Sequence, residues 1–165
     1  MASLNSNNEP GSLIQTGDKA GASGQLSFRA DTGMHAEQFK IVNVENNEEL
    51  ASVGSSESYL KEEKIAYRVG RAYFNKLDRA IANDQTFGSV KLLADANGKI
   101  LGGHILGANA GDLIAPIVYA MRFGLTVKMI AKAMLPYPTM AEAVRWAAVK
   151  LQVSCPPKNG PMLKS

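Results

Sequence analysis

Apolar residues change their spacing several times along this chain. Before residue 48 they are thinly placed, at Leu13, Ile14, Leu26 and Phe28 and then from Phe39 to Val44, among many Ser, Asn and Gly. A segment so composed buries too little apolar surface to offset the entropy of ordering it, and residues 1–47 read as a polar, largely disordered tail or linker. Only residues 38–44 alternate well enough to predict a strand, one able to pair with the domain that follows. From about Glu48 the pattern tightens. Residues 65–69 read as a strand, and after an irregular stretch through Phe74 and Leu77 a short helix is expected over 78–82. Residues 89–94 and 99–106 then flank Asp95-Ala96-Asn97-Gly98, a hairpin signal in which Gly98 can take the positive φ that closes the turn. Gly102 and Gly103 inside the second strand mark a place where another backbone or helix packs close.

After Gly107 the period becomes helical. Asn109 is the expected N-cap, Asp112 places negative charge near the helix start, and Leu113, Ile114, Ile117, Val118 and Met121 form one stripe. Pro116 lies inside that stripe and should bend the helix, or mark a later start to it. Thr126 can cap a second short helix. Thr139 can cap a third, which buries Met140, Ala143, Val144, Ala147, Ala148 and Leu151. Leu135-Pro136-Tyr137-Pro138 is a rigid connector between those two. Strands followed by helices predict an α+β domain over 48–152, an antiparallel sheet with helices packed on one face, and leave 153–165 as a flexible tail.

Composition narrows the classes of function. The 165 residues are 45% apolar and 20% charged, which suits one domain and a tail. The net charge of +3 is scattered rather than gathered into runs, so no nucleic-acid partner is expected. No apolar run approaches the ~20 residues of a membrane span and the start lacks the features of a secretory signal, so the expectation is a cytoplasmic protein with no membrane partner. The single cysteine, Cys155, excludes an internal disulfide or a CxxC pair. Neither His35 nor His104 has a partner at metal-ligand spacing, and no metal is implied. Gly17, Gly21 and Gly24 match no phosphate-binding loop.

The run from Leu101 to Ile114, Leu-Gly-Gly-His-Ile-Leu-Gly-Ala-Asn-Ala-Gly-Asp-Leu-Ile, is followed by Pro136-Tyr137-Pro138-Thr139-Met140-Ala141-Glu142. In this order, after a hairpin, the two blocks resemble the C-terminal dimerisation (interface) domain of the pyridine nucleotide-disulfide oxidoreductases, which include glutathione reductase, dihydrolipoamide dehydrogenase and mercuric reductase. That domain carries an ILG-x-x-I-x-G-x-x-AGE-x-I block before its long helix and an HPT-x-x-E block before its last. Residues 49–54 resemble its first strand and residues 77–81 a further recurring segment, so the resemblance spans about residues 48–152. Asp112 stands where the family usually has Glu. Tyr137 stands where glutathione reductase and dihydrolipoamide dehydrogenase have the catalytic histidine, and here the chain is similar to mercuric reductase-like flavoproteins with a PY-x-T-x-x-E block. A phenol with a pKa near ~10 is a poor general base at neutral pH, so the histidine's acid/base role does not carry over. The hydroxyl can still donate a hydrogen bond to a thiolate or orient a bound group.

The resemblance implies a complete enzyme that passes hydride from NAD(P)H to FAD and electrons onward to a cysteine pair or a substrate, a role in cell redox homeostasis. This sequence has no CxxxxC and no dinucleotide fingerprint, so no cofactor is expected on this chain alone. The implied task is to form a homodimer, in which residues 136–142 of one subunit reach the disulfide and flavin of the other, with a separate FAD- and NAD(P)-binding subunit as a further partner. Tyr137 and Glu142 are then the candidate catalytic residues, Tyr137 contacting substrate and Glu142 holding the segment through a hydrogen bond. Pro138 is the candidate cofactor-side residue, fixing the turn through a cis bond. The alternative is a non-catalytic homodimerising scaffold, or a fragment without redox function. Single residues have plainer readings too: Tyr137 as a loop aromatic, Glu142 as a first-turn acid, His104 as a sheet histidine, Arg79 as a solvated charge and Trp146 as a packing residue. Cys155 reads as an idle thiol; mercuric reductase carries a C-terminal cysteine pair that handles metal ions, of which one cysteine with different flanks is only a weak echo.

Overall fold

The computed structural model describes residues 13–16, 25–30, 37–44 and 48–153, with side chains over 48–152. The expected hairpin is its centre. β6 (Gly88–Ala94) and β7 (Ile100–Gly107) pair antiparallel around a turn in which Lys99 N–H donates to Asp95 Oδ1 at 2.8 Å and Gly98 has φ +84°. β5 (Arg68–Tyr73) adds to the free edge of β6, and β4 (Glu48–Gly54) to that of β7. Beyond β4 lie β3 (Glu37–Val44), β2 (Gln25–Ala30) and β1 (Leu13–Thr16), giving a seven-stranded antiparallel sheet in the order β1-β2-β3-β4-β7-β6-β5. Composition predicts a largely disordered segment before residue 48 and alternation predicts one strand in it, whereas the structure has three strands there. Each is satisfied by the strand beside it, and such pairing needs a neighbour's backbone rather than a dense apolar pattern. Gly17, Gly21, Gly24, His35 and Cys155 lie outside the described residues.

The strand expected over 65–69 begins later, at Arg68. It is preceded by a helix that the pattern did not predict, α1 (Glu57–Glu62), whose N-cap Ser56 accepts a hydrogen bond from Tyr59 N–H. Six residues with only Leu60 buried carry no readable helical period. A 3₁₀ turn over Phe74–Lys76 leads into α2 (Asp78–Ala82), as expected. The stripe after Gly107 is not one bent helix. It divides at Ile114 into α3 (Ala110–Leu113) and α4 (Ala115–Arg122), with Pro116 in the first turn of α4, where its missing N–H is least costly. Asn109 precedes α3 in a left-handed conformation and makes no side-chain cap. The Gly111 N–H instead donates to Glu49 Oε2 at 2.7 Å, so β4 supplies the anion for that helix start. Thr126 caps α5 (Val127–Lys132) by accepting from Met129 N–H, and α6 (Glu142–Val153) ends the described chain.

One face of the sheet presents Ala51, Val53, Ala72, Val90, Leu92 and Ile105, and it packs against Ile117 of α4 and Ala143, Val144, Ala147 and Leu151 of α6. The α+β architecture, with helices α3 to α6 on a single face, follows from that alternation. Close approach is built in where the strands have no side chain. A Cβ at Gly103 would come within 2.8 Å of Ile117 Cγ2, one at Gly102 would strike the Ser55 carbonyl, and one at Gly70 would strike the Ala147 carbonyl of α6. On the opposite face α1 seats a small cluster of Leu60, Tyr67 and Leu93. A register shift between Leu93 and Ala94 leaves Leu101 as an extra residue that packs into this second cluster.

The same face carries polar groups. Glu57 gathers Lys61, Arg71 and Lys91 at 3.5–3.7 Å and accepts from the Tyr67 hydroxyl at 3.1 Å. His104 on β7 bridges to β4 and the turn after it, with Nδ1 3.1 Å from Ser52 Oγ and Nε2 3.2 Å from the Ser55 carbonyl. A carbonyl only accepts, so Nε2 carries the hydrogen, and in the neutral ring Nδ1 accepts from Ser52. Burial, and then the charge of Lys91, pull the His104 pKa below its ordinary 6.5.

Two outcomes follow from this packing. Gly70→Val should destabilise the domain by about 1–3 kcal/mol or more, because α6 must lift off β5. Urea unfolding measures it, and a wild-type midpoint would contradict the seating described. His104, depressed in the folded chain, contributes stability that is complete above about pH 6.5 and fades as the pH falls, since the unfolded chain takes up the proton first. The stability lost between about pH 7 and 5 should therefore be smaller in His104→Gln, and parallel wild-type and variant curves would contradict the neutral bridge.

Candidate functional site

The connector between α5 and α6 holds Tyr137 and Pro138 and leads into Glu142 at the start of α6, and local chemistry fixes its shape. Pro136 and Pro138 restrict the backbone on either side of Tyr137, and the Tyr137–Pro138 peptide is cis. Met140 is buried and anchors the segment to the core. The Thr139 hydroxyl was expected to cap the final helix, but it turns back and donates to the Pro136 carbonyl at 2.9 Å. The cap is made in the other direction, with Glu142 Oε2 accepting from the Thr139 N–H at 3.2 Å. Glu142 thus holds the segment by a hydrogen bond, and its contact is with backbone.

Tyr137 projects from the connector with 70% of its surface exposed. Its hydroxyl donates to Asp78 Oδ2 at 2.7 Å, joining the connector to the first residue of α2 across 59 positions of sequence. That hydrogen bond, followed by the charge of Asp78 and smaller effects of desolvation and Glu142, raises the Tyr137 pKa above its ordinary 10.0. The phenol is still less suited to act as a base than a free tyrosine. Pro138 is exposed beside it.

The structure places Tyr137 and Pro138 in one short loop with Glu142 at the first residue of the helix that follows it, and adds Asp78, which sequence reasoning missed. No sequence signal points to Asp78, since an acid at a helix start is common for electrostatic reasons alone. Arg79, next along α2, is exposed, and Trp146 is partly exposed on α6 with the Arg145 guanidinium 5.5 Å from its ring centre. His104 lies in the sheet, in the bridge described above. Among the described residues every strand pairing is antiparallel, unlike the parallel β-α-β unit of a dinucleotide-binding fold.

Comparison with known proteins agrees with this architecture. The family described as the pyridine nucleotide-disulphide oxidoreductase dimerisation domain matches residues 46–148. A mitochondrial dihydrolipoyl dehydrogenase of Caenorhabditis elegans is 42% identical over 100 residues, 60% of this chain and 20% of that protein. A mercuric reductase of Streptomyces lividans is 43% identical over 100 residues, 60% of this chain and 21% of that protein. Among solved structures, LpdA from Mycobacterium tuberculosis superposes with a TM-score of 0.62 at 27% identity, covering 67% of this chain and 24% of that one. The flavoprotein disulfide reductase RclA from Escherichia coli shares the fold, with a TM-score of 0.55 at 23% identity over 58% of this chain and 22% of that one. The chain spans about a fifth to a quarter of the length of these relatives. With matched residues, sheet and connector all in agreement, the chain belongs to the pyridine nucleotide-disulfide oxidoreductases and contains their dimerisation domain.

Proposed function

We propose that this chain pairs with a second copy of itself, and that pairing carries residues 136–142 of each copy into an active site whose FAD, NAD(P) and redox disulfide are held by residues other than these. The observation that carries this reading is the outer surface of the helical layer. On α4, Pro116 and Tyr119 share one face, Phe123 follows as the C-cap, and Tyr119 and Phe123 are 62% and 73% exposed. Met129 of α5, Met134 of the connector and Trp146 of α6 are likewise exposed. Covering a side chain such as Phe123 contributes roughly 1.5–3 kcal/mol, and a lone subunit leaves that gain unused.

Tyr137 belongs to the same helical half of the chain, between two helices that carry exposed Met129 and Trp146. A contact across those helices would set the phenol beside groups of a partner. Tyr137 then binds or orients the substrate, Pro138 lies on the flavin side, and Glu142 keeps the loop in shape. The relatives' printed names, dihydrolipoyl dehydrogenase and mercuric reductase, favour thiol or metal-ion reduction as the class of reaction. No helix among the described residues is long and apolar enough to cross a membrane.

Co-expression with a flavoprotein of this family lacking its own dimerisation domain should give a yellow complex on gel filtration. Tyr119→Asp/Phe123→Asp should abolish that complex, since losing two such contacts weakens association by about 100-fold or more. Tyr137→Phe should leave it assembled and yellow but lower its NAD(P)H-driven turnover by about 10-fold, the worth of one hydrogen bond. A Tyr137→Phe complex with full turnover, or the absence of any yellow complex, would contradict the reading.

A further inference from the structure

A tyrosine hydroxyl has one hydrogen, and in Tyr137 it points to Asp78 Oδ2 at 2.7 Å. An ionised carboxylate has no hydrogen to offer in return, so the direction of this bond is fixed. What the phenol turns outward is therefore the remaining acceptor capacity of its oxygen. We propose that Asp78 is a positioning residue that fixes the polarity of Tyr137, so that the 136–142 loop receives a hydrogen-bond donor, such as a neutral thiol or an ammonium group, and disfavours a thiolate or carboxylate. This deepens the functional reading above and rests on Tyr137 meeting the substrate.

The rest of the loop points the same way. Pro136 and Pro138 have no N–H, the Thr139 hydroxyl is given to the Pro136 carbonyl, and the Thr139 N–H is given to Glu142. Of the donors in residues 136–139, the backbone N–H of Tyr137 alone is not consumed by these bonds. The charges that bear on the phenol, those of Asp78 and Glu142, are also negative. Asp78 raises the Tyr137 pKa through its hydrogen bond and its charge, and Glu142 adds to that effect, so an arriving anion would meet two carboxylates, with the Tyr137 N–H as the one donor of residues 136–139 not already bonded within the domain. The sequence alone allowed Tyr137 to donate to a thiolate, and the Asp78 contact takes that hydrogen away. A thiol reaching this loop would arrive protonated and donate to the phenol oxygen, and its deprotonation would fall to a base elsewhere.

The test uses the full chain labelled with ¹³Cζ-tyrosine, with the Tyr137 signal assigned by its loss in Tyr137→Phe. Ethylammonium chloride should shift that signal saturably, and sodium acetate at the same ionic strength should not. In Asp78→Ala the preference for ethylammonium should disappear, and the phenol should titrate at lower pH than in the wild type. Asp78→Asn keeps an acceptor oxygen without the charge, and should fall between the two. Equal responses to the two salts in the wild type, or a Tyr137 titration unchanged in Asp78→Ala, would overturn the proposal. Asp78 is exposed, so circular dichroism should show both variants folded. The bond lies within one copy, so these results do not depend on dimerisation, which pulsed-gradient diffusion on the same samples reports separately. Turnover of the flavin-containing complex tests the substrate-contact reading by itself.

Discussion

The seating of α6 on the sheet is the constraint from which the rest of the domain is placed. At Gly70 the strand offers no side chain, and the Ala147 carbonyl of α6 occupies the space a Cβ would need. Ala143, Ala147 and Ala148 keep that side of the helix thin, and Leu151 fills the end. Small residues on both partners bring helix and strand closer than the ordinary spacing of packed layers, at the cost of a site that tolerates no enlargement. Because α6 begins directly after the proline connector, the same contact sets where Tyr137 stands. The loop is held at one end by buried Met140 and in the middle by Asp78, so its geometry is complete within one copy.

The inner side of the helical layer is used up by this packing, which makes its outer side informative. A layer serving only its own sheet would turn polar groups outward, whereas α4 turns Tyr119 and Phe123. The helical layer packs on strands β4 to β7, and strands β1 to β3 extend the sheet on the β4 side, at the far edge from β5. The opposite face has a different character: half-buried His104 and Lys91 and the Glu57 cluster are polar but mutually satisfied, and they read as structural.

Much of this was legible in the sequence wherever the cause is local. The central hairpin announces itself through alternation on both sides of Asp95-Ala96-Asn97-Gly98, and Thr126 marks the start of α5 because a cap lies next to the helix it serves. The connector was legible as rigid from its two prolines. What escaped is non-local or too short to show a period. α1 buries one residue, the Gly111 amide is capped from β4 at a separation of 62 residues, and Asp78 reaches Tyr137 across 59. Asn109 looked like a cap by residue type, yet its left-handed backbone makes no such bond. The strands before residue 48 lack apolar density, since their pairing draws on neighbouring backbone. At the site, residue types located the loop, but only the three-dimensional contact with Asp78 reveals which way the phenol's hydrogen points.

The central claim is that the outer helical face is completed by a second copy. Sedimentation equilibrium of the unmodified chain, from nanomolar to tens of micromolar concentration, tests it most directly. The account predicts a monomer–dimer equilibrium on the dimer side by about 1 µM, equivalent to roughly 8 kcal/mol of association free energy. A single species at the monomer mass over the whole range would contradict it.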